Sequence, residues 1–155
     1  ITVRGSRFTG NGTGVSIGTR DCHNLIEDCV VDGNAGAGVL ARPSPRPVEV
    51  HSCHVRRCTI AGNAGKRGQG QVEIVTQAHD LIFEGNRVSG RQGAGQDKPG
   101  FFVESTARHI HLDGNRVQGC SREVDAASES LAAAPSLFEC GYDSGSETIY
   151  RHLPV

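Results

Sequence analysis

Residues 81–90, Leu81-Ile82-Phe83-Glu84-Gly85-Asn86-Arg87-Val88-Ser89-Gly90, and residues 110–119, Ile110-His111-Leu112-Asp113-Gly114-Asn115-Arg116-Val117-Gln118-Gly119, are two copies of one pattern set 29 residues apart. In each, a closing glycine is preceded at two and seven places by large apolar residues, and at four places by asparagine. The same signals recur toward the N-terminus. Gly10, Gly33 and Gly62 join Gly90 and Gly119 as register marks, with spacings of 23, 29, 28 and 29 residues. Phe8, Val31, Ile60, Val88 and Val117 stand two places before the marks; Val3, Ile26, Val55, Phe83 and Leu112 stand seven before. Ser6, Cys29 and Cys58 precede Asn86 and Asn115 at the polar position, and Asn11, Asn34 and Asn63 directly follow the first three marks.

A period of this size signals a solenoid. Between the marks run short β-branched stretches such as Gly14-Val15-Ser16-Ile17, Val72-Glu73-Ile74 and Phe101-Phe102-Val103, which read as strands too short to be helices. Each period therefore holds about three short strands separated by turns. A small polar residue kept at one turn position can stack on its copy ~4.8 Å away in the next coil and satisfy backbone groups of the turn. A β-sandwich also has many short strands, but equal coil lengths and a positional Asn/Cys/Ser ladder argue against it.

Composition agrees. The 155 residues include 21 Gly, no Met and no Trp, so one domain with a core of small residues and Val, Ile and Leu is expected. Glycine follows no three-residue period, which excludes collagen. No apolar run approaches the ~20 residues of a membrane span, and no basic segment leads into an apolar stretch as in a signal peptide. A net charge of −1 gives no reason to expect nucleic acid or an anionic membrane as partner. The chain starts Ile1-Thr2-Val3, already strand-like, which suggests a section of a longer rod. Five coils at ~4.8 Å make only about 24 Å, and an open solenoid edge predicts end-to-end self-association.

Over roughly residues 1–120 the two decapeptides and their register resemble the right-handed parallel β-helix repeats of the pectate-lyase-like superfamily. The resemblance implies an all-β, right-handed parallel β-helix of about five coils. In that superfamily the stacked-Asn turn separates the second and third sheets, and the strand after each glycine mark belongs to the first sheet, whose outer face usually carries substrate. The resemblance thus favours a secreted or cell-surface, carbohydrate-associated module, though the fold itself hosts many activities.

After Gly119 the register stops. Ala126, Ala127, Leu131 and Ala132–Ala134 before Pro135 favour a short helix or a long loop inserted into the fifth coil. Residues 121–155 are therefore expected to form an irregular, partly helical C-terminal cap or an extra coil, distinct from the coils of residues 1–120.

The six Cys and seven His lack the paired spacing of structural zinc sites. Cys29 and Cys58 share the ladder position of Asn86 and Asn115, which leaves stacked thiols, a disulfide across adjacent coils, or a metal as readings. Cys120 and Cys140 flank the irregular segment and could tie it down. His51 and His79 lie eleven places before their marks, Asp80 and His109 ten, so they should stack in the turn after the first sheet. They read as solvated turn residues, as one flank of a groove, or as metal ligands.

Register places Ser16, Leu40, Glu73 and Phe102 in one outward row of the first sheet, and Gly18, Arg42, Val75 and Glu104 in the next. Glu73 and Glu104 are then diagonal neighbours, on the order of 8 Å apart. Such a pair suits Ca²⁺ or acid–base work across a glycosidic bond, with Lys98 as a third catalytic candidate. Arg42, Arg91, Phe102 and His79 are the substrate-binding candidates, Phe102 as a sugar-stacking face. Long turns at 64–70 and 91–99, carrying Lys66, Arg67, Arg91, Gln92, Asp97 and Lys98, should rise beside the face. The superfamily's lyases would place a Lys base near Gln77, and Gln cannot serve as one. Two readings result: a module of a polysaccharide lyase or glycoside hydrolase acting on acidic glycans, or a non-catalytic scaffold, adhesin or surface-binding segment.

Overall fold

The computed structural model of the protein describes residues 1–18, 20–43, 49–65, 67–91, 98–132, 138–142 and 148–152, the last two ranges as backbone. Coil one carries Thr2–Arg4 (β1), Arg7–Thr9 (β2) and Val15–Ile17 (β3); coil two carries Leu25–Glu27 (β4), Val30–Asp32 (β5) and Val39–Ala41 (β6). Coil three carries His54–Arg56 (β7), Thr59–Ala61 (β8) and Val72–Ile74 (β9), and coil four His79–Glu84 (β10), Arg87–Ser89 (β11) and Phe101–Val103 (β12). Coil five carries Arg108–Asp113 (β13), Arg116–Gln118 (β14) and Val124–Ala126 (β15), followed by Leu131–Ala132 (β16). Phe138–Tyr142 (β17) and Thr148–His152 (β18) form an antiparallel pair.

The first fifteen strands and β16 stack into three parallel sheets. The first sheet, after the glycine marks, runs β3-β6-β9-β12-β15; the second runs β1-β4-β7-β10-β13-β16; the third runs β2-β5-β8-β11-β14. This is an all-β parallel β-helix. Its parallel sheets continue past Gly119: β15 pairs with β12 and β16 with β13. Among the described residues of the Ala-rich segment, Ser128–Ser130 forms a 3-10 turn between these two strands. No helix of the described residues is long and apolar enough to cross a membrane.

All ten apolar positions of the repeat face inward. Val3, Ile26, Val55, Phe83 and Leu112 form one continuous row, and Phe8, Val31, Ile60, Val88 and Val117 form a second. Both rows belong to the one core. The turn from the second to the third sheet requires a left-handed residue. Gly85 and Gly114 supply it without strain, whereas Asp28 and Arg57 adopt it with side chains, at φ 53° and 51°.

Two amide ladders run through the turns. Asn115 Oδ1 accepts from Asn86 N at 3.0 Å and Asn86 Nδ2 at 2.9 Å, and Asn86 Oδ1 accepts from Cys58 N at 2.9 Å. At the turn from the third to the first sheet, Asn11 N donates to Asn34 Oδ1, Asn34 N and Nδ2 donate to Asn63 Oδ1, and Asn63 N donates to Gln71 Oε1 at 2.8 Å. Asn34, Asn63 and Asn86 are completely buried, and these bonds supply the partners that buried amides need. Cys22, Cys29, Cys53, Cys58 and Cys120 are free thiols, so the alternative of a Cys29–Cys58 disulfide does not hold. Cys29 and Cys58 instead donate to the carbonyls of Glu27 and Arg56. The pairing considered for Cys140 lies outside the described side chains.

Candidate functional site: the outer face of the first sheet

Along the first sheet the outward row is Ser16, Leu40, Glu73, Phe102 and Asp125, each the register partner of the next. Alternation along the pleat forces this, because their flanking residues face the core. Beyond the strand ends the ladder continues: Arg42 N donates to Ile17 O, Val75 N to Ala41 O and Glu104 N to Ile74 O at 2.9 Å. Glu73 and Glu104 are thus one coil apart and two residues along.

Their surroundings differ. Glu104 is exposed. Glu73 is 6% exposed, and its Oε1 accepts from the backbone N–H groups of Gln69 at 2.5 Å and Gly70 at 3.2 Å. Lys98, from the next coil, donates from Nζ to the carbonyls of Gly65, at 3.0 Å, and Gly68. A carboxylate therefore holds the amides of the long turn and an ammonium its carbonyls. Phe102 is half-buried, and its Cβ and backbone lie against Gly70, where a side chain would meet them at 3.1–3.2 Å. Arg91 is exposed and lies over Gly65. Lys66, Gln92 and Asp97 lie outside the described residues.

The opposite flank is the turn toward the second sheet. Exposed Arg42 lies over Gly18, whose N–H donates to Asp21 Oδ2 at 2.6 Å. His79 belongs to this flank but is clamped: Nδ1 meets Asp80 Oδ2 at 2.6 Å and Nε2 meets Glu49 Oε2 at 3.0 Å. The His51 ring stacks on it, centroids 5.1 Å apart, and His23 packs edge-on to His51. Burial pushes the His51 imidazole below its ordinary range, and the neighbouring His79 and His23 push the same way. Asp80 also faces His109 at 3.4 Å, and Arg108 shares Glu49.

Among the described residues no group of three or more His, Cys, Asp or Glu side chains is arranged to hold a metal ion. The metal reading of His51, His79, Asp80 and His109 is corrected accordingly: the acids there are bonded to His and Arg. Nor do Glu73 and Glu104 fit Ca²⁺ by themselves, since that ion takes roughly six to eight oxygens and one Glu73 oxygen already serves the turn.

One charged cluster escaped the sequence reading. Glu27, on the second sheet, has no exposed surface and is held by Arg4, Arg56 and Arg57. Burial pushes its carboxyl up, but the hydrogen bonds from Arg4 and Arg56 outweigh this and leave it below the usual range. The signal was present six places before each mark: Arg4, Glu27, Arg56, Glu84 and Asp113.

The family model of the right-handed β-helix region matches residues 1–140. The chain belongs to the right-handed β-helix family. No curated protein and no solved structure matches it. For this β-helix the match covers all three parallel sheets and reaches into β17, beyond the last glycine mark.

Proposed function

We propose that the protein is a carbohydrate-associated β-helix module that holds an extended glycan on the outer face of the first sheet. The observation that carries this is the outward row that crosses five coils, with half-buried Leu40 and Phe102 on its floor and Arg42, Arg91 and exposed Glu104 at its flanks. Aromatic and apolar side chains stack on sugar faces, and guanidinium and carboxylate groups read hydroxyls and acidic substituents.

The same geometry supports binding over bond cleavage. Of the candidates for acid–base work, Glu73 and Lys98 both serve the turn at 64–70, which leaves Glu104 as the free group. A lyase or hydrolase needs two positioned groups. Calorimetry with polyuronates and neutral oligosaccharides, alongside reducing-end and unsaturated-product assays, tests the reading. We expect binding that Phe102→Ala and Arg42→Ala weaken, without turnover. Absence of binding to every glycan overturns it, and turnover shifts the assignment to the enzymatic alternative.

A further inference from the structure

Charge is matched coil by coil over the first three coils. Coil two carries Glu27, Asp28 and Asp32, and the coils on either side supply arginines to meet them: Arg7 to Asp32 at 2.6 Å, Arg56 to Glu27 at 2.9 Å, and Arg57 to Asp28 at 2.8 Å. On the third sheet of the next two coils the matching fails. Arg87 and Arg116 are direct register partners on β11 and β14. Both are exposed, and both face outward because Val88 and Val117 between their neighbours face the core. Among the described residues neither makes an ion pair or side-chain hydrogen bond. The acids that precede them, Glu84 and Asp113, end strands of the second sheet across the turn, and Glu84 is bonded to His54.

Like charges opposite one another on paired strands destabilise a sheet. Two guanidinium groups carried on neighbouring strands about 4.8 Å apart are also a fork for oxyanions. Thr59, Ser89 and Gln118 surround them on the same face, adding hydroxyl and amide groups. No aromatic residue stands on the outward rows of the third sheet, so the face lacks the stacking platforms that single-stranded nucleic acid uses. We propose that Arg87 and Arg116 form a second binding site, on the outer face of the third sheet, for the carboxylate or sulfate groups of an acidic glycan. The site is independent of the first-sheet face.

The test compares wild type, Arg87→Gln, Arg116→Gln, the double variant and Phe102→Ala. Each is titrated at low salt with polygalacturonate, a sulfated oligosaccharide, inorganic phosphate and an oligothymidylate. Binding of one of the two acidic glycans should weaken about tenfold or more in the double variant, the size of a lost charge-assisted hydrogen bond. That loss should appear at one site while Phe102→Ala leaves it unchanged, so failure of the first-sheet reading would be seen separately. Without ligand, each single variant should melt at or above the wild-type temperature, because the like-charge pair is relieved. Glycan binding insensitive to both arginines, binding of phosphate alone, oligothymidylate binding as tight as glycan, or a fall in melting temperature on substitution would overturn the proposal.

Discussion

Glu27 Oε2 accepts from Arg56 Nε at 2.9 Å across adjacent coils, at a carboxylate with no exposed surface. Arg57 Nη2 reaches the same oxygen at 2.7 Å. Removing the acid takes one partner from each of three guanidinium groups, two of them half in solvent and Arg57 still paired with Asp28, so the loss is smaller than for a fully buried pair. Glu27→Gln should destabilise the fold by about 2 kcal/mol, read by denaturant unfolding. The carboxyl is shifted downward, so its contribution is complete above the unfolded value and disappears as pH falls through the folded one. The wild-type and variant stabilities should therefore converge in acid.

His51 and His54 carry the opposite chemistry to Glu27 but the same pH direction. His51 is depressed by burial first and by His79 and His23 next. His54 is depressed by burial against the pull of Glu84. Below about pH 6.5, the ordinary histidine value, the unfolded chain binds more protons than the folded one, so stability falls as pH drops. His51→Asn should flatten the decline of melting temperature between neutral pH and pH about 5. An unchanged slope would remove His51 as its source.

Glu73 and Lys98 hold the turn at 64–70 from opposite signs of charge. Lys98→Met and Glu73→Gln should each speed amide exchange at Gln69 and Gly70 while leaving the core strands protected, since local openings lie below the global unfolding energy. Exchange that rises uniformly over the chain would contradict a local role.

Burial pushes the Cys58 thiol up to about 11. Reactivity follows the thiolate, so Cys58 and the buried Cys29 should resist a disulfide reagent at neutral pH until the chain is unfolded. Rapid labelling of both in the native protein would rule out the buried stack.

The sequence legibly carried the coil. Period-two alternation and the fixed offsets of Val3 or Phe8 from a glycine determine which side chains face inward, and the register of Glu73 with Phe102 follows from them. What the candidate site does with its residues was not legible. Whether the Glu73 oxygen points to ligand or to Gln69 N depends on how the turn at 64–70 folds back, and no periodicity encodes that. The clamp of His79 by Glu49 was hidden for the same reason: Glu49 stands outside the repeat positions. The Glu27 cluster was legible in principle, as alternating charge at one offset, because outward rows obey the same register as inward ones.

The two amide ladders do not span the same coils. Asn11, Asn34, Asn63 and Gln71 join coils one to three at one corner of the rod, and Cys58, Asn86 and Asn115 join coils three to five at another. Coil three alone belongs to both. In a solenoid each unit is coupled to its neighbours only, so coil three acts as the splice through which the two halves share cooperativity. A whole coil excised from within either ladder would let its remaining amides re-register, whereas excision of coil three would bring Arg91, which follows the Gly90 mark, to the place of Asn63 and leave Asn34 N and Nδ2 without their side-chain acceptor.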